Sequence, residues 1–447
     1  MNKLPRIINL LMVAGMVTAC YNEKHPPVVL NLDLSDAVLV FNGNDCTGLT
    51  KKEDGKTLNH EGLEPADFRL YKTNSKGITS RVHFKTKRSD DDEYYYNNNF
   101  FTIMADISEE YFFVDLGRWE GNNKYFINKS SGDAFKFPDD YCFSFDYYEW
   151  ANTLSSRYTF PQDKYGNIYG VVYSKKEDAD VIAKFSVDKN GVNIEKITNI
   201  DHLSTNLFAV DIDGNIIFKS DSNKCYYRTV DGELIEEPYN SNWFWTNYDG
   251  KIYTFIDKCV KRIDFNKDTK EFSATTIKTY ESLSSTDFSN DRILFLDELE
   301  EVYLAKYSDE NDLYLYSLKA DNLEEPFIFS ASERGVMGSN KHVGSIYSSG
   351  EYIVEFGTSI NVFDVAHNME LTTKYLNVTC NDGVRMLNDN KMSVFYWNKD
   401  SEVNHPKGFG GVYMSMGIYD LTTGELTEQD TFITGNADRS HVIHIKR

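Results

Sequence analysis

The sequence has few of the residues that build metal sites and disulfide frameworks. It contains six cysteines and nine histidines in 447 residues, and no two cysteines have the Cys-x-x-Cys spacing of a zinc site. If Cys20 is modified, five cysteines remain, and an odd number cannot all pair in disulfides. We therefore expect no metal, no cofactor, and buried free thiols as the ordinary state of these cysteines.

Positive charge is also scarce. Lysine and arginine total 47 against 69 aspartates and glutamates, which gives a formal net charge of −22. The densest basic stretch, residues 81–88, is followed almost directly by the acidic residues 90–93. Because nucleic-acid binding requires clustered basic side chains, the sequence predicts no nucleic-acid partner. The acidity is typical of a protein that stays soluble outside the cytoplasm.

No apolar run is long enough to span a membrane as a helix. The N-terminal run, residues 7–17, has 11 residues, whereas a spanning helix needs about 20. It follows Lys3 and Arg6 and precedes Val17-Thr-Ala-Cys20, which is the order of a secretory signal. The segment resembles a bacterial lipobox, which implies cleavage before Cys20 and a lipid on its thiol. The alternative is an ordinary signal peptide with a chance cysteine.

The remainder of the chain has the composition of β structure. It is rich in tyrosine and phenylalanine, apolar and polar residues alternate over short runs, and Gly, Asn and Asp recur between the runs. Eight segments have the pattern of a β-hairpin, two strands joined by a tight polar turn. These segments are residues 70–84, 126–137, 185–194, 227–235, 263–272, 318–327, 362–371 and 418–426.

The spacing of the hairpins predicts a single β-propeller of four-stranded blades. From Gly77 to Gly424, seven intervals cover 347 residues, about 50 per interval, which is near the length of one blade. Eight hairpins favour eight blades. Seven blades remain an alternative because residues 89–99 and 398–411 look like insertions, and a pair of β-sandwiches is another. We expect the C-terminal strand, residues 441–446, to pair with residues 37–41 and close the ring.

A second recurring unit is a polar turn followed by an alternating strand. It reads Asp163-Lys-Tyr-Gly-Asn-Ile-Tyr169 and recurs from Asp211 and from Tyr248. Together with the lipobox, these Tyr- and Asn-rich strands resemble the propeller lipoproteins of Bacteroidetes. The resemblance implies a lipid anchor in the outer membrane, because Tyr21 rather than Asp follows the cysteine. A periplasmic and a surface-facing orientation both stay open.

We accordingly divide the chain into three parts. Residues 1–19 are the signal peptide, residues 20–36 are the lipidated tether, and residues 37–447 are the propeller domain.

Common catalytic and metal motifs are missing or incomplete. No Gly-x-Ser-x-Gly nucleophile elbow occurs in the chain. Asp264, Asn266 and Asp268 alternate as in a calcium loop, but Thr269 and Thr275 stand where the loop requires glycine and glutamate. We expect an ordinary turn there and no metal site.

Two aromatic clusters are candidate ligand-binding residues. Trp243 and Trp245 would share one face of a strand and could stack on sugar rings, with core packing between sheets as the alternative. Tyr94, Tyr95 and Tyr96 lie in a predicted insertion and could form a binding loop, with a solvated loop as the alternative.

These features favour a binding or scaffold module for a glycan or protein partner over an enzyme. The rival hypothesis is a glycan-degrading enzyme, a glycosidase or polysaccharide lyase, with carboxylates at the mouth of the propeller funnel. Such an enzyme is recognised by the distance between two carboxyl groups, which a sequence does not contain, so no catalytic residue can be selected.

Overall fold

The computed structural model describes the chain in segments between Val28 and Ile445. The segments are residues 28–44, 50–51, 58–59, 68–74, 79–87, 93–96, 103–115, 124–143, 160–200, 208–219, 224–237, 244–256, 258–266, 268–280, 292–296, 298–319, 326–335, 345–356, 359–375, 385–387, 390–396, 412–434 and 442–445. Every regular element in these segments is a β-strand. None of the segments contains a helix with the length and apolar character needed to cross a membrane.

The strands are numbered in chain order. The first twelve are β1 (Val28–Leu32), β2 (Ala37–Asn44), β3 (Thr50–Lys51), β4 (Leu58–Asn59), β5 (Phe68–Asn74), β6 (Thr79–Arg81), β7 (Phe84–Lys87), β8 (Glu93–Tyr96), β9 (Ile103–Asp106), β10 (Tyr111–Asp115), β11 (Lys124–Asn128) and β12 (Ala134–Lys136). The next twelve are β13 (Tyr141–Phe143), β14 (Ile168–Ser174), β15 (Ala179–Asp188), β16 (Gly191–Ile200), β17 (Phe208–Val210), β18 (Ile216–Lys219), β19 (Cys225–Arg228), β20 (Leu234–Glu237), β21 (Phe244–Thr246), β22 (Ile252–Ile256), β23 (Cys259–Asn266) and β24 (Glu271–Thr279). The others are β25 (Arg292–Leu296), β26 (Glu301–Tyr307), β27 (Leu313–Ser317), β28 (Phe327–Phe329), β29 (Ser345–Ser349), β30 (Tyr352–Phe356), β31 (Ser359–Asp364), β32 (Glu370–Tyr375), β33 (Arg385–Leu387), β34 (Lys391–Tyr396), β35 (Val412–Asp420), β36 (Leu426–Thr434) and β37 (Val442–His444).

Within the described residues, eight antiparallel sheets of four strands follow one another along the chain, and we call them blades 1 to 8. Blade 1 has the order β37-β2-β5-β6, blade 2 contains β9 to β12, and each later blade contains the next four strands, ending with β33 to β36 in blade 8. The fold is the all-β propeller that the sequence predicts.

The two ends of the described chain meet in blade 1. The C-terminal strand β37 pairs antiparallel with β2, with Val40 opposite Ile443 and Leu39 opposite His444. Strand β37 also contacts the first strands of blades 8 and 2, which are β33 and β9. The predicted closure of the ring by strands from both ends of the chain is therefore confirmed.

The eight predicted hairpins are the outer strand pairs of these blades. In β15 and β16, for example, Phe185 lies opposite Ile194, and in β31 and β32, Phe363 lies opposite Leu371. Gly191 opens β16 with a φ of 134°, a left-handed conformation that glycine adopts without steric cost. The polar turn residues in the sequence therefore located the outer half of each blade correctly.

The blades pack face to face, so their middle strands are buried on both sides. All four residues of β18 are buried, as is every residue of β14 except Tyr173. Between blades 2 and 3, aromatic rings fill the space, with centroids 5.7 Å apart for Phe126 and Phe137 and 6.2 Å apart for Phe137 and Phe185. Large rings suit this gap because each one buries much apolar surface.

The folded part of the chain begins earlier than the sequence suggested. Residues 28–34, expected in the tether, form β1 and the bend after it, and β1 pairs with β7 in a three-stranded sheet that also contains β8. Val29, Leu32 and Leu34 are buried in one apolar cluster. Burial of these side chains stabilises the segment against the first two blades. Part of the predicted tether is therefore a packed strand, while β2, the first described strand of the chain that belongs to a blade, begins at Ala37.

Candidate functional site

The turns that join the first and second strands of the blades lie at one end of the ring. Strands alternate in direction, so the turns between third and fourth strands lie at this same end, which we call the inner-turn end. The first strands of several neighbouring blades contact one another, including β17 with β21 and β25 with β29. They therefore line the centre of the ring, and the inner turns surround it.

The inner turn of blade 3 is organised by one buried carboxylate. Oδ1 of Asp163 accepts hydrogen bonds from the amides of Tyr165 (2.9 Å) and Asn167 (3.0 Å). Its Oδ2 accepts from the Asn167 side chain and from the Tyr169 hydroxyl, both at 2.8 Å. Burial and the hydrogen bond to Asp163 raise the pKa of Tyr169 far above its ordinary value. The phenol therefore stays protonated and keeps donating.

The inner turn of blade 4 repeats this arrangement. Oδ1 of Asp211 accepts from the amides of Asp213 and Asn215 at 2.9 Å, and Oδ2 accepts from the Asn215 side chain at 2.7 Å. Burial raises the pKa of Asp211 even though these hydrogen bonds act to lower it. Tyr227 donates to the same carboxylate at 3.4 Å. The sequence predicted these turns but not that the carboxylate of each first aspartate would accept the hydrogen bonds that hold its turn.

The inner turn of blade 5 is a variant of the same structure. Asn247 replaces the first aspartate, and the Tyr253 hydroxyl donates to Asp249 at 2.8 Å. Burial, together with this hydrogen bond, raises the pKa of Tyr253 to about 12. In all three turns a tyrosine from the blade fixes a turn carboxylate.

Backbone hydrogen bonds join the three inner turns to one another. The amide of Lys164 in blade 3 donates to the carbonyl of Ile212 in blade 4 at 2.9 Å. The amide of Ile212 donates in turn to the carbonyl of Gly250 in blade 5 at 2.8 Å. Lys164 also forms an ion pair with Asp213 at 2.6 Å. The three turns are therefore held as one connected surface.

The outer turn of blade 4 is attached to the same surface. The side-chain oxygen of Asn215 accepts a hydrogen bond from the amide of Val230 at 2.9 Å. The outer turn is closed by the bond from the amide of Thr229 to the carbonyl of Glu233, also at 2.9 Å. One asparagine thus connects the inner and outer turns of this blade.

Four exposed apolar side chains belong to this connected surface. Their exposed fractions are 70% for Tyr165, 45% for Ile212, 48% for Val230 and 53% for Leu234. Among the described residues, only Val28 and Ile328 are other large apolar side chains with comparable exposure. We call the four residues the inner-turn platform.

The opposite end contains a buried polar cluster between blades 6 and 7. Arg334, in the connection that leaves blade 6, is 1% exposed and forms an ion pair with Glu355 of β30. Glu355 also accepts hydrogen bonds from the Tyr307 hydroxyl at 3.1 Å and from the Asn361 side chain at 2.8 Å. The Ser359 hydroxyl and the Asn361 side chain donate to the carbonyl of Arg334, both at 3.0 Å.

The contacts of this polar cluster hold the connection between blades 6 and 7 in place. The guanidinium of Arg334 also donates to the carbonyl of Asn311 and lies over the ring of Tyr307, 5.5 Å from its centroid. Both terminal nitrogens of the guanidinium and both oxygens of the Glu355 carboxylate therefore have partners inside the described part of the protein, and only Nε of Arg334 has none there. The cluster fixes the connection between two blades and keeps its carboxylate away from solvent.

Of the candidate ligand-binding residues from the sequence, Trp245 lies in an apolar core and is not part of the platform. Trp245 is 6% exposed and stacks on Tyr253, with ring centroids 6.0 Å apart, in the apolar core that blades 5 and 6 share. This placement corresponds to the core-packing alternative. Trp243 and Cys20 lie outside the described residues.

The three consecutive tyrosines belong to a strand. Tyr94, Tyr95 and Tyr96 form most of β8, which pairs with β7 along residues 84–87. Their segment, predicted as an insertion, therefore extends the N-terminal sheet.

The calcium-like sequence in blade 5 forms a hairpin turn. The side-chain oxygen of Asn266 accepts hydrogen bonds from the amides of Asp268 and Thr269, at 2.9 and 3.3 Å. This is how asparagine caps its own turn. Within the described residues, no group of three or more His, Cys, Asp or Glu side chains could hold a metal ion.

The platform's signal was present in the sequence but weak. Asp-x-x-Gly-Asn marks the inner turns of blades 3 and 4, yet an exposed isoleucine or tyrosine inside a turn is common and does not by itself indicate a binding surface. The hydrogen bonds between turns of different blades could not be predicted from the sequence.

Comparisons with known proteins yield similarities of fold. No protein-family profile matches the chain, and no curated protein is similar to it. A streptogramin B lyase structure has 11% identity and a TM-score of 0.37, over 67% of this chain and 92% of that one. The periplasmic gluconolactonase PpgL of Pseudomonas aeruginosa has 10% identity and a TM-score of 0.39, over 91% and 100%. The Dos1 propeller has 11% identity and a TM-score of 0.37, over 75% and 85%. Identities this low say nothing about activity.

Proposed function

We propose that this protein is a lipid-anchored propeller of the bacterial outer membrane that binds a protein partner through the inner-turn platform. The observation that supports this is the platform itself, in which three exposed apolar side chains lie on connected turns and the fourth, Leu234, begins the strand that follows the outer turn of blade 4. Exposed apolar groups that cluster on a monomer commonly mark an interaction site. Tyrosine is enriched at the centres of such sites.

The rigidity of the platform favours tight binding. Ordering a loop on association costs free energy, so a surface that is already fixed in the free protein loses less when a partner binds. The carboxylates of Asp163, which is buried, and Asp211, which is partly buried, hold their turns before any partner arrives. A protein partner suits this surface better than a glycan because three of the four side chains are aliphatic, whereas sugar rings stack on aromatic ones.

The observation that supports the lipid anchor is the lipobox-like sequence that ends at Cys20. Replacing Cys20 with alanine is expected to release the protein from membranes, because no acyl chain would then hold it. Fractionation of cells that express the wild-type and C20A proteins tests this. Full retention of C20A in the membrane fraction would refute the anchor.

The binding role is tested with the soluble form that starts at Tyr21. A photo-crosslinking amino acid in place of Tyr165 captures envelope proteins, and the captured protein is then identified and purified. We expect the variant Ile212→Asp to bind this partner at least about tenfold more weakly. Ile328→Asp is the matched control, since Ile328 is at least as exposed as Ile212 but lies on the outer strand of blade 6. Equal affinities of the two variants would refute the platform as the site.

The rival function, glycan degradation, is tested with the same soluble form. A glycan array with product analysis separates binding from turnover. Turnover of any glycan would make the protein an enzyme and would replace the binding proposal. Glycan binding without turnover, unaffected by I212D, would assign the binding role to another surface.

A further inference from the structure

We propose that one defined rim of the ring, between blades 1 and 2, rests against the lipid bilayer. We call this rim the anchor seam, and it comprises β1, β7 and the segment 124–136 of blade 2. The proposal rests on the lipid anchor of the proposed function and adds to it a membrane-facing surface.

The N-terminal strand is fixed firmly in the seam. The amide of Leu32 donates to the carbonyl of Gly132 at 2.8 Å, and the Asn31 side chain donates to Ser131 and Asp133 at 2.9 and 3.0 Å. On its other side, β1 pairs with β7 of the N-terminal sheet. The point at which the tether joins the folded ring is therefore set by the structure.

The short tether keeps the rim that contains β1 close to the membrane. Eight peptide units separate Cys20 from Val28, and at no more than about 3.6 Å each they span at most about 29 Å. A compact chain of this length has a radius of gyration of about 22 Å. In the ring of the eight described blades, blades 5 and 6 lie across from blades 1 and 2, so their rim is on the far side from the point where the tether joins the fold.

The charge of the seam also suits a bilayer surface. In a chain with a net charge of −22, the densest basic stretch falls on β7 and the residues beside it. The register places Lys87 opposite Val28 and Lys85 opposite Asn31, next to the anchored end of the chain. Lys136, on β12, is exposed. Basic residues close to an anionic lipid surface are attracted to it. The four acidic residues 90–93 balance the four lysines and arginines of residues 81–88, so the excess positive charge of the seam comes from the segment 124–136, which has three lysines and one aspartate.

An apolar side chain marks the same place. Val28 is 45% exposed and is the first described residue after the tether. Its position at the start of β1 puts it closest to the lipid along the chain, where its exposed surface would gain from contact with the bilayer interface.

Lysine footprinting of the full lipidated protein in vesicles tests the proposal. The protein is reconstituted in vesicles of phosphatidylethanolamine and phosphatidylglycerol and treated briefly with an acetylating reagent, beside the soluble form that starts at Tyr21. We expect acetylation of Lys85, Lys87 and Lys136 to be several-fold slower on vesicles. Lys270 and Lys319, exposed on blades 5 and 6, serve as controls and are expected to react equally in both samples.

A longer tether provides the second measurement. Inserting about twenty Gly and Ser residues after residue 27 increases the distance that the tether can span. The three seam lysines are then expected to regain most of their reactivity while the protein still floats with vesicles. Persistent protection in this variant would show that the tether does not set the contact and would overturn the proposal.

The outcomes separate this proposal from the anchor itself. Flotation with vesicles and unchanged seam reactivity would overturn the membrane-facing seam and leave the lipid anchor intact. Loss of flotation by the acylated protein would overturn both. Protection of Lys270 or Lys319 in place of the seam lysines would show that another rim faces the lipid.

Discussion

Ile212 and Gly250 hold the inner turns of blades 4 and 5 in contact. The amide of Ile212 donates to the carbonyl of Gly250 at 2.8 Å, and a Cβ atom at position 250 would lie 2.6 Å from the Cβ of Ile212. Gly250 also has a φ of 72°. Both the backbone conformation and the neighbouring side chain therefore require glycine here.

The first prediction separates these two requirements. Gly250→Ala is expected to lower the free energy of unfolding by about 1–3 kcal/mol more than Gly166→Ala. Gly166 has a nearly equal φ of 78°, but nothing lies within 4 Å of the Cβ that alanine would add. The difference between the two variants in urea unfolding thus reports contact between turns. Equal losses would show that backbone strain alone explains the glycine.

The second prediction concerns the asparagine that connects the two turns of blade 4. Asn215→Ala removes the bond to Asp211 and leaves the amide of Val230 without its side-chain acceptor. One hydrogen bond contributes about 0.5–1.5 kcal/mol to stability, so the loss of both bonds is expected to lower the free energy of unfolding by about 1–3 kcal/mol. Asn167→Ala in blade 3 removes the corresponding bond to the turn aspartate and is the matched control. We expect N215A to lower the free energy of unfolding more than N167A does, and to make amide exchange at Val230 faster.

Exchange at Val230 is the measurement specific to this connection. If the turn were held by its own backbone bonds alone, N215A would lower global stability without changing exchange at residue 230 relative to the rest of blade 4. That result would contradict the role assigned to Asn215.

The sequence predicted the fold more completely than the site, for a physical reason. Strand pairs joined by tight turns depend on neighbours in the chain, so Gly132, Gly191 and Gly424 mark hairpins that the structure contains. The closing pair of β2 and β37 was also predictable, because an unpaired inner strand needs a partner.

Features that depend on distant parts of the chain were not predictable. Residues 28–34 looked like a tether because the pairing partner of β1 begins more than fifty residues later, at Phe84. Ile212 and Gly250 lie in different blades, and nothing in a single sequence indicates that these two residues are in contact. Arg334 appeared to be one more charged residue, and only its burial against Glu355 distinguishes it.

The third prediction concerns the buried ion pair between Arg334 and Glu355. Arg334→Met and Glu355→Met are each expected to cost about 3–5 kcal/mol, because each leaves the other charge buried without its partner. The double variant is expected to lose much less than the two single losses added together, because it leaves no isolated charge. Urea unfolding of the four proteins gives the coupling free energy.

An exposed pair on blade 6 provides the matched control for this cycle. Lys319 and Glu301 lie 2.9 Å apart, with the lysine side chain 54% exposed. The coupling free energy between these two side chains is expected to be about 0–1 kcal/mol. Additive losses in R334M and E355M would contradict the interpretation of the cluster as a coupled positioning device.

The last prediction is a pH dependence at the base of the anchor seam. Asp33 accepts a hydrogen bond from the Ser35 amide at 3.0 Å and forms an ion pair with Lys72 at 3.1 Å. Burial alone would raise the pKa of Asp33, but the hydrogen bonds from Ser35 and the Lys72 ammonium outweigh it and hold the pKa below the ordinary value of 3.8.

The unfolded chain therefore binds a proton at Asp33 more readily than the folded protein does, and acid favours unfolding. The stabilisation is fully present above the ordinary pKa and is lost as the pH falls through the lower folded value. Asp33→Asn is expected to destabilise the protein by up to about 1 kcal/mol at pH 7, since the carboxylate is partly exposed. That difference should shrink as the pH falls below about 4.

Urea midpoints of the wild-type and D33N proteins between pH 7 and pH 3 test this dependence. Asp309→Asn, at an exposed turn of blade 6, is the control for nonspecific effects of removing one charge. Amide exchange at Leu34 and Ala37 localises the effect, because both residues adjoin the Asp33 bend and Ala37 donates to the carbonyl of Leu34 at 3.0 Å. A difference between wild type and D33N that stays constant over this range would mean that the ionised carboxylate does not stabilise the bend, and the docking of β1 would then rest on its apolar side chains and backbone bonds.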